Sequence, residues 1–477
     1  MGDFKEGFII KKFLAIDFGT TQTSVAVLNE NSTHAPEVLQ INDGQHVVKA
    51  IATAMQLDDD SNVIYFGAKA LAKAEEAPEN TFQNFKAFVG KKDKTYQLRT
   101  EQDRYSPDDL ALIFFRKLKT EIEEHNFNGL KLSDIPELVC IVGCPADWND
   151  VRKNILKNIA FEAGFPNVKL CDEPIGVIYY NHFYGDLKLK ASQKILVYDF
   201  GGGTTDVAVA KVELSKDGEI KPDVLSVSGL PDLGGRNFDS AVANYYMEEN
   251  NYDLKNLSVK DRLQDQWAIN LASRGAKEDL SSKSVIEKII NRLKAINGQR
   301  PNKLSLSREK FNEICADLIE KFDDPIYDAL NLAQLAIEDI DSVILAGGSS
   351  SMPYVQEKVR KIFPKRTEIF VSSGADIIAQ GLAAYLQAKV LNLKSPKQFD
   401  ISEDEKNKSC LIDSKLSDTN SKQSTIFFKE VYIAVAIIIG IVSLILLIIS
   451  YSSPPPPPSP KGFWESIWDL TKSLWPF

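Results

Sequence analysis

Metal-ligand residue types are scarce and badly spaced in this chain. Its 477 residues include only four histidines and five cysteines, at Cys140, Cys144, Cys171, Cys315 and Cys410, and no two cysteines form a CxxC pair. A structural zinc site needs clustered Cys and His ligands, so this spacing argues against one. Scattered thiols in odd number also argue against a disulfide framework; reduced, buried cysteines in a cytosolic setting are expected. Basic charge is in deficit, with 56 Lys and Arg against 66 Asp and Glu, a net charge of −10. Nucleic acid calls for a basic surface, so it is not an expected partner. The N-terminal stretch MGDFKEGFIIKKF lacks an apolar h-region, and no secretory signal is expected. Glu6 stands where a myristoylation motif wants Ser or Thr.

What is present is a globular apolar fraction, 44%, and a length that suggests several domains. One stretch organises the rest, KILVYDFGGGTTDVAVA at Lys194–Ala210. An apolar strand ends in Asp199, three glycines and two threonines follow, and a second β-branched run begins at Asp206. Successive glycines let the backbone approach a ligand closely. Their N–H groups and the Thr204 and Thr205 hydroxyls can point at phosphate oxygens. Asp199 can hold Mg²⁺ through water, as magnesium prefers. Taken alone, an ordinary Gly-rich hairpin would read the same way. The motif recurs, however, about 180 residues earlier as FLAIDFGTTQTSVAV, with Asp17, Gly19, Thr20, Thr21 and Gln22 in the matching places. Two such hairpins imply a duplicated lobe clamping one polyphosphate and one metal.

Elsewhere strands alternate with helices, so the fold class is α/β with mixed sheets. Helices are expected over Pro107–Glu124, Asp150–Gly164, Val259–Leu280 and Ile377–Gln387, with a helical stretch over residues 308–338. Strands are expected at Glu137–Gly143, Val168–Leu170, Val224–Gly229 and Ser342–Ala346. The last runs into Gly347-Gly348-Ser349, then a helix from Pro353, a third phosphate-type site with free helix N–H groups.

Taken together, these motifs resemble the nucleotide-binding domain of the heat-shock protein 70 family, within the actin/hexokinase-like ATPase superfamily. The likeness runs from about Phe13 to about Leu386. IDFGTT at Ile16–Thr21 and YDFGGGTTDV at Tyr198–Val207 look like the phosphate signatures, and LAGGSSSMP at Leu345–Pro353 like the adenosine signature. DEP at Asp172–Pro174, NTFQNFK at Asn80–Lys86 and LGGRNFD at Leu233–Asp239 look like the segments carrying the metal-side Glu, the catalytic Lys and the second-lobe Gly-Gly loop. Sugar kinases share the phosphate loops but not these last segments. The resemblance implies a two-lobed actin-like fold, with lobes over residues 1–190 and 191–390, and ATP with Mg²⁺ in the cleft between them.

It also implies roles. Thr20, Thr21, Gln22 and Gly201, Gly202 and Gly203 would cradle phosphates, with Gly19 in the first turn. Asp17 and Asp199 would hold Mg²⁺ through water, and Lys86 would neutralise the terminal phosphate. Glu173, Asp199, Thr204 and Asp206 are candidates to orient the attacking water or take its proton. Gly235, Lys277, Ser281, Gly347, Gly348 and Ser349 would line the nucleoside end. The pattern departs at the base: Arg274 stands for the family's Glu, and Glu278 and Ser351 for its two stacking arginines. Weaker nucleotide affinity is expected, at about 0.5–2 kcal/mol per lost cation–π contact. A non-hydrolysing scaffold is the alternative function.

The remainder reads as a membrane attachment. Residues 391–430 are polar and linker-like, and no stretch resembles the family's β-rich peptide-binding domain, so direct peptide binding is not expected. VYIAVAIIIGIVSLILLIIS at residues 431–450 carries no charge and is long enough to span about 30 Å of hydrocarbon. Lysines before it place the ATPase in the cytosol, tail-anchored at the ER or mitochondrial outer membrane. Residues 451–477 combine a polyproline spacer with FWESIWDLTKSLWPF, a helix suited to the membrane interface or to a partner. A co-chaperone or nucleotide-exchange protein is an implied partner.

Overall fold

The computed structural model describes residues 12–391, apart from residues 30–31, 33, 44–45, 59, 92–95, 98–103, 217, 291–292 and 294–302. These residues all fall within one compact unit. The expected linker, the expected span at 431–450, the aromatic tail and Cys410 therefore lie outside the described residues. Among the described residues no helix is long and apolar enough to cross a membrane.

The first sheet is built on β1 (Lys12–Phe18), β2 (Gln22–Asn29), β3 (Val139–Cys144) and β4 (Lys169–Asp172). Its order is β4-β3-β1-β2, with short edge strands at Glu37–Val38 and Ala50–Ala52 both pairing β2. β1 and β2 are antiparallel, while β1, β3 and β4 run parallel. Around it lie helices α1 (Pro107–Asn126), α2 (Asp150–Glu162) and α3 (Glu173–Phe183). Ser106 caps α1 by accepting from the Asp109 N–H while Asp109 accepts in return, and Asn149 caps α2.

The second sheet repeats this plan with β5 (Ser192–Phe200), β6 (Thr205–Leu214), β7 (Ile220–Leu230), β8 (Ser342–Ala346) and β9 (Glu368–Ser372). Its order is β7-β6-β5-β8-β9, again one antiparallel hairpin beside parallel strands. Hairpin β5–β6 occupies the place of β1–β2, and β8 that of β3. The duplication read from two sequence motifs is thus a duplication of sheet topology. The result is a mixed α/β architecture consistent with an actin-like ATPase fold. Helices α4 (Gly235–Glu249), α5 (Val259–Leu280), α6 (Pro353–Ile362) and α7 (Ile377–Leu391) complete it.

Side-chain alternation decides what meets what, because successive strand residues face opposite sides of a sheet. Leu14, Ile16 and Phe18 face α1 and α2, and Leu196, Tyr198 and Phe200 face the core under α4 and α5. Phe13 and Ala15, with Ile195 and Val197, enter a third core shared by both sheets and by α3 and α7. By the same parity Asp17 and Asp199 fall on the shared side. They stand at the strand ends, where the shared apolar core stops and the cleft begins. Gly176 and Gly381 let α3 and α7 cross closely; a Cβ on Gly176 would lie 3.1 Å from Ile378 O. Each large side chain buried in these cores contributes about 1.5–3 kcal/mol.

Several expectations needed correction. Residues 308–338 are not one helix. They form helices at Arg308–Ile314, Ala316–Glu320 and Asp324–Leu332, then a 3-10 turn at Ile337–Asp339. Pro325, in the first turn of Asp324–Leu332, explains the break before that helix, since it lacks an N–H and starts a helix more readily than it continues one. The third phosphate-type site is not a plain helix N-terminus, because a 3-10 turn at Gly348–Ser351 stands between β8 and α6. Strand β9 and the hairpin Val285–Ile289/Lys303–Ser307 had no expectation. The four described cysteines are free and buried, as expected.

Candidate active site

A single cleft of about 700 Å³ collects residues from both sheets. Every residue singled out for phosphate, metal, catalytic and nucleoside roles lines it, except Thr205 and Gly235. Contrary to expectation, the Thr205 hydroxyl is fully buried and donates to Leu233 O at 2.7 Å, bracing the loop before α4 rather than facing a ligand. Gly235 sits just behind the wall: a Cβ there would lie 2.6 Å from Ser349 Oγ and 2.7 Å from Lys277 Nζ.

The two Gly-Thr turns face each other. A Cβ on Gly202 would land on the Thr21 hydroxyl, and one on Gly203 would lie 2.9 Å from Thr20 Cγ2. Only glycine permits that approach. The Gly201 N–H closes its own turn on Thr204 O at 3.0 Å. Among the described residues the Gly202 and Gly203 N–H groups bond to no backbone carbonyl. The Thr21 hydroxyl is buried and has no hydrogen-bond partner there.

Lys86 enters through a local device. Asn84 takes the left-handed conformation, φ 62°, and starts a short 3-10 turn, Phe85–Phe88. Phe85 is buried in the core, near Phe18 and Phe114, with ring centroids 6.2 and 5.8 Å away. That anchor turns Lys86 inward. Its ammonium donates to Glu173 Oε1 at 2.8 Å and lies 6.0 Å from the Phe18 ring centre. Lys86 is 4% exposed and Glu173 7%. Neither is a solvated surface residue, the dull alternative for both. Glu173 opens α3, and Gly143 on β3 makes room for it; a Cβ at Gly143 would lie 3.2 Å from Glu173 Cγ.

Burial of so many carboxylates shows in their protonation. Desolvation, then the charge of Glu173, raises Asp17 to about 7, against a smaller opposing pull from Lys86. Asp199 is raised well above the usual range by burial and by Glu173, Asp206 and Asp17. Asp206 is raised to about 7 by burial, although the Thr204 hydroxyl donates to its Oδ2 at 2.7 Å and pulls the other way. Burial also disfavours the Lys86 ammonium, but Glu173, Asp17 and Asp206 outweigh it and hold its pKa above the ordinary lysine value. The cleft is thus short of positive charge.

This donor set fits a magnesium-bound polyphosphate. Asp17, Glu173, Asp199 and Asp206 gather around the Lys86 ammonium and favour a further cation, and the unpartnered Thr21 hydroxyl wants an acceptor or donor. Among the described residues no three His, Cys, Asp or Glu side chains stand close enough to ligate a metal directly. A cation held here would reach Asp17 and Asp199 through water, the mode magnesium favours.

The nucleoside end differs. Lys277 pairs with Asp239 at 2.8 Å and donates to Gly235 O at 2.9 Å, while Ser349 Oγ donates to Gly201 O at 2.9 Å. Both therefore brace α4 and the glycine turn. Arg274 and Glu278 form an i,i+4 pair at 2.8 Å on α5, and Ser351 Oγ donates to Gly348 O at 2.6 Å. Sequence reading missed Arg152. It stacks on Trp148, 3.9 Å from the ring centre, and its Nε donates to Val89 O at 2.9 Å, which supports the Lys86 turn. The i,i+4 spacing of Trp148 and Arg152 at the start of α2 was the available signal.

Two sheets of one topology, closing Asp-Gly-Thr turns on a buried Lys, are consistent with an actin-like ATPase fold. The chain belongs to the Hsp70 family, whose model, described as Hsp70 protein, matches residues 13–403. It is 30% identical over 417 residues to the stromal 70 kDa heat shock-related protein, chloroplastic, of Pisum sativum, covering 81% of this chain and 55% of that protein. It is 30% identical over 400 residues to the chaperone protein dnaK of Cyanophora paradoxa, covering 80% and 60%. The chain thus matches little more than half the length of these relatives. Members of the family bind ATP with Mg²⁺ and work with co-chaperones and nucleotide-exchange factors.

Proposed function

We propose that this chain binds ATP with Mg²⁺ in the cleft and hydrolyses it slowly, in chaperone-related work. The observation that carries the reading is the convergence of both glycine turns on Lys86, itself fixed at 2.8 Å from Glu173 and surrounded by Asp17, Asp199 and Asp206. Bound Mg²⁺–ATP supplies the phosphoanhydride and the cation that offsets its charge. The chain supplies the rest. Gly202 and Gly203 present N–H groups to phosphate oxygens. Lys86 places positive charge at the terminal phosphate and orients a water. Asp206, raised to about 7, takes a proton at Oδ1 or Oδ2 near neutral pH, with Thr204 Oγ1 holding the carboxylate in place. Catalysis of this kind is positioning and charge stabilisation, and needs no protein nucleophile.

Nucleotide state would bias the angle of the two sheets about α3 and α7, and a co-chaperone or exchange protein would read that bias. Residues 431–450 support attachment to a membrane with the cleft in the cytosol, because they are 20 uncharged, predominantly apolar residues preceded by lysines. One observation favours a second reading, a tethered nucleotide-binding scaffold. The Arg274–Glu278 pair occupies the base end with an ion pair where a stacking cation is expected.

The test is ATP turnover by the purified chain beside Lys86→Ala and Asp199→Ala. Slow Mg²⁺-dependent hydrolysis lost in both variants is the expected result. No turnover with nucleotide-dependent thermal stabilisation would favour the scaffold. Absence of both signals would refute the nucleotide reading.

A further inference from the structure

Arg236 follows Gly235 in the first turn of α4, and it lines the cleft. Its backbone is fixed by the glycine turn. The Gly235 N–H donates to Gly201 O at 3.0 Å, and the Arg236 N–H to Gly202 O at 2.8 Å. Those bonds occupy the first N–H groups of α4, so that helix end spends its positive charge on the turn. The side chain then reaches back over the same turn. A Cβ added at Gly203 would lie 2.8 Å from Arg236 Nη2 and 2.9 Å from Thr20 Cγ2. The guanidinium therefore stands where the turn after β5 meets the turn after β1.

Charge gives that placement a consequence. A triphosphate adds negative charge to a cleft already lined by Asp17, Glu173, Asp199 and Asp206. Lys86 shares its charge between Glu173 and any phosphate it meets, and Lys277 is held by Asp239 and Gly235 O at the nucleoside end, so one ammonium does not offset a triphosphate. A guanidinium suits phosphate oxygens better than an ammonium does, because its fork donates two parallel bonds. An arginine supplied by the same chain is also an effective way to stabilise charge on a transferring phosphoryl group.

We propose that Arg236 binds the terminal phosphate of the nucleotide, so that the cleft distinguishes a triphosphate from a diphosphate. The proposal rests on the nucleotide reading above and extends it to one residue. The experiment titrates the full chain with ATP and with ADP, each with Mg²⁺, for the unaltered protein, Arg236→Gln and Arg236→Lys. Arg236→Gln should bind ATP about tenfold or more weakly, with ADP changed less than twofold. Arg236→Lys should fall between, keeping charge without the fork. Inorganic phosphate added to the ADP complex should raise the melting temperature of the unaltered protein and not that of Arg236→Gln. Equal loss of ATP and ADP, or no loss of either, overturns the proposal. So does a lower melting temperature without nucleotide and with unchanged affinities, which would make the guanidinium only a contact between the turns. If the unaltered protein binds neither nucleotide, the underlying reading fails first, before any substitution is compared.

Discussion

Replacing Lys86 with Met tests the electrostatic account of the cleft most directly. Lys86→Met keeps the length and apolar stem but removes the charge. The side chains of the Lys86–Glu173 pair are 6% and 9% exposed. Removing one partner of a buried pair costs about 3–5 kcal/mol, because the other is left desolvated and alone. The cost should depend on pH. Lys86 has a raised folded pKa, so its stabilising contribution is fully present below the ordinary lysine value and is lost only above the folded one. Asp17 and Asp206 have the opposite sign. Their folded pKa values of about 7 lie above the ordinary carboxyl value of 3.8, so stability falls as pH rises from 3.8 through about 7. Lys86 lowers Asp17, and without it that fall should extend to higher pH. Guanidinium unfolding of both proteins at pH 5.5 and 8.5 measures this. The expected loss is larger at the higher pH, with an unchanged slope against denaturant. A loss below about 1 kcal/mol at pH 8.5, or one independent of pH, would refute the buried-pair account.

Three further outcomes follow from the same geometry. Mg²⁺–ATP binding should strengthen between pH 6 and pH 8 and release protons, because Asp17 and Asp206 must ionise; calorimetry in buffers of different ionisation enthalpy reads the proton number. Gly202→Ala should weaken ATP binding about tenfold or more and also lower the melting temperature without nucleotide, since its Cβ would meet the Thr21 hydroxyl and push the two turns apart. Glu278→Arg should tighten nucleotide binding by about 0.5–2 kcal/mol if a cation–π contact is restored. Stability should then change by less than about 1 kcal/mol, because the Arg274–Glu278 pair is largely exposed; fluorescence titration and thermal melts measure the two effects.

The sequence by itself determined the phosphate turns, the duplication and the helices with strong caps. Each of these is local: glycines where backbones must approach, an Asp at a strand end, Ser106 and Asn149 before a periodic run. The third phosphate-type site was only half legible, because Gly347–Ser351 reads as a helix start and folds as a 3-10 turn before one. The tertiary structure alone decided three things. It buried Lys86 against Glu173, residues 87 positions apart, through the left-handed Asn84 and the anchor of Phe85. It turned Lys277 and Ser349 into braces of α4 and the glycine turn. It also set Arg236 over the junction of the two turns, where a motif reading saw only the glycines before it. These are distances between side chains on different elements. Composition and spacing along the chain do not contain them, because they are fixed by how two copies of one sheet close around a shared apolar core.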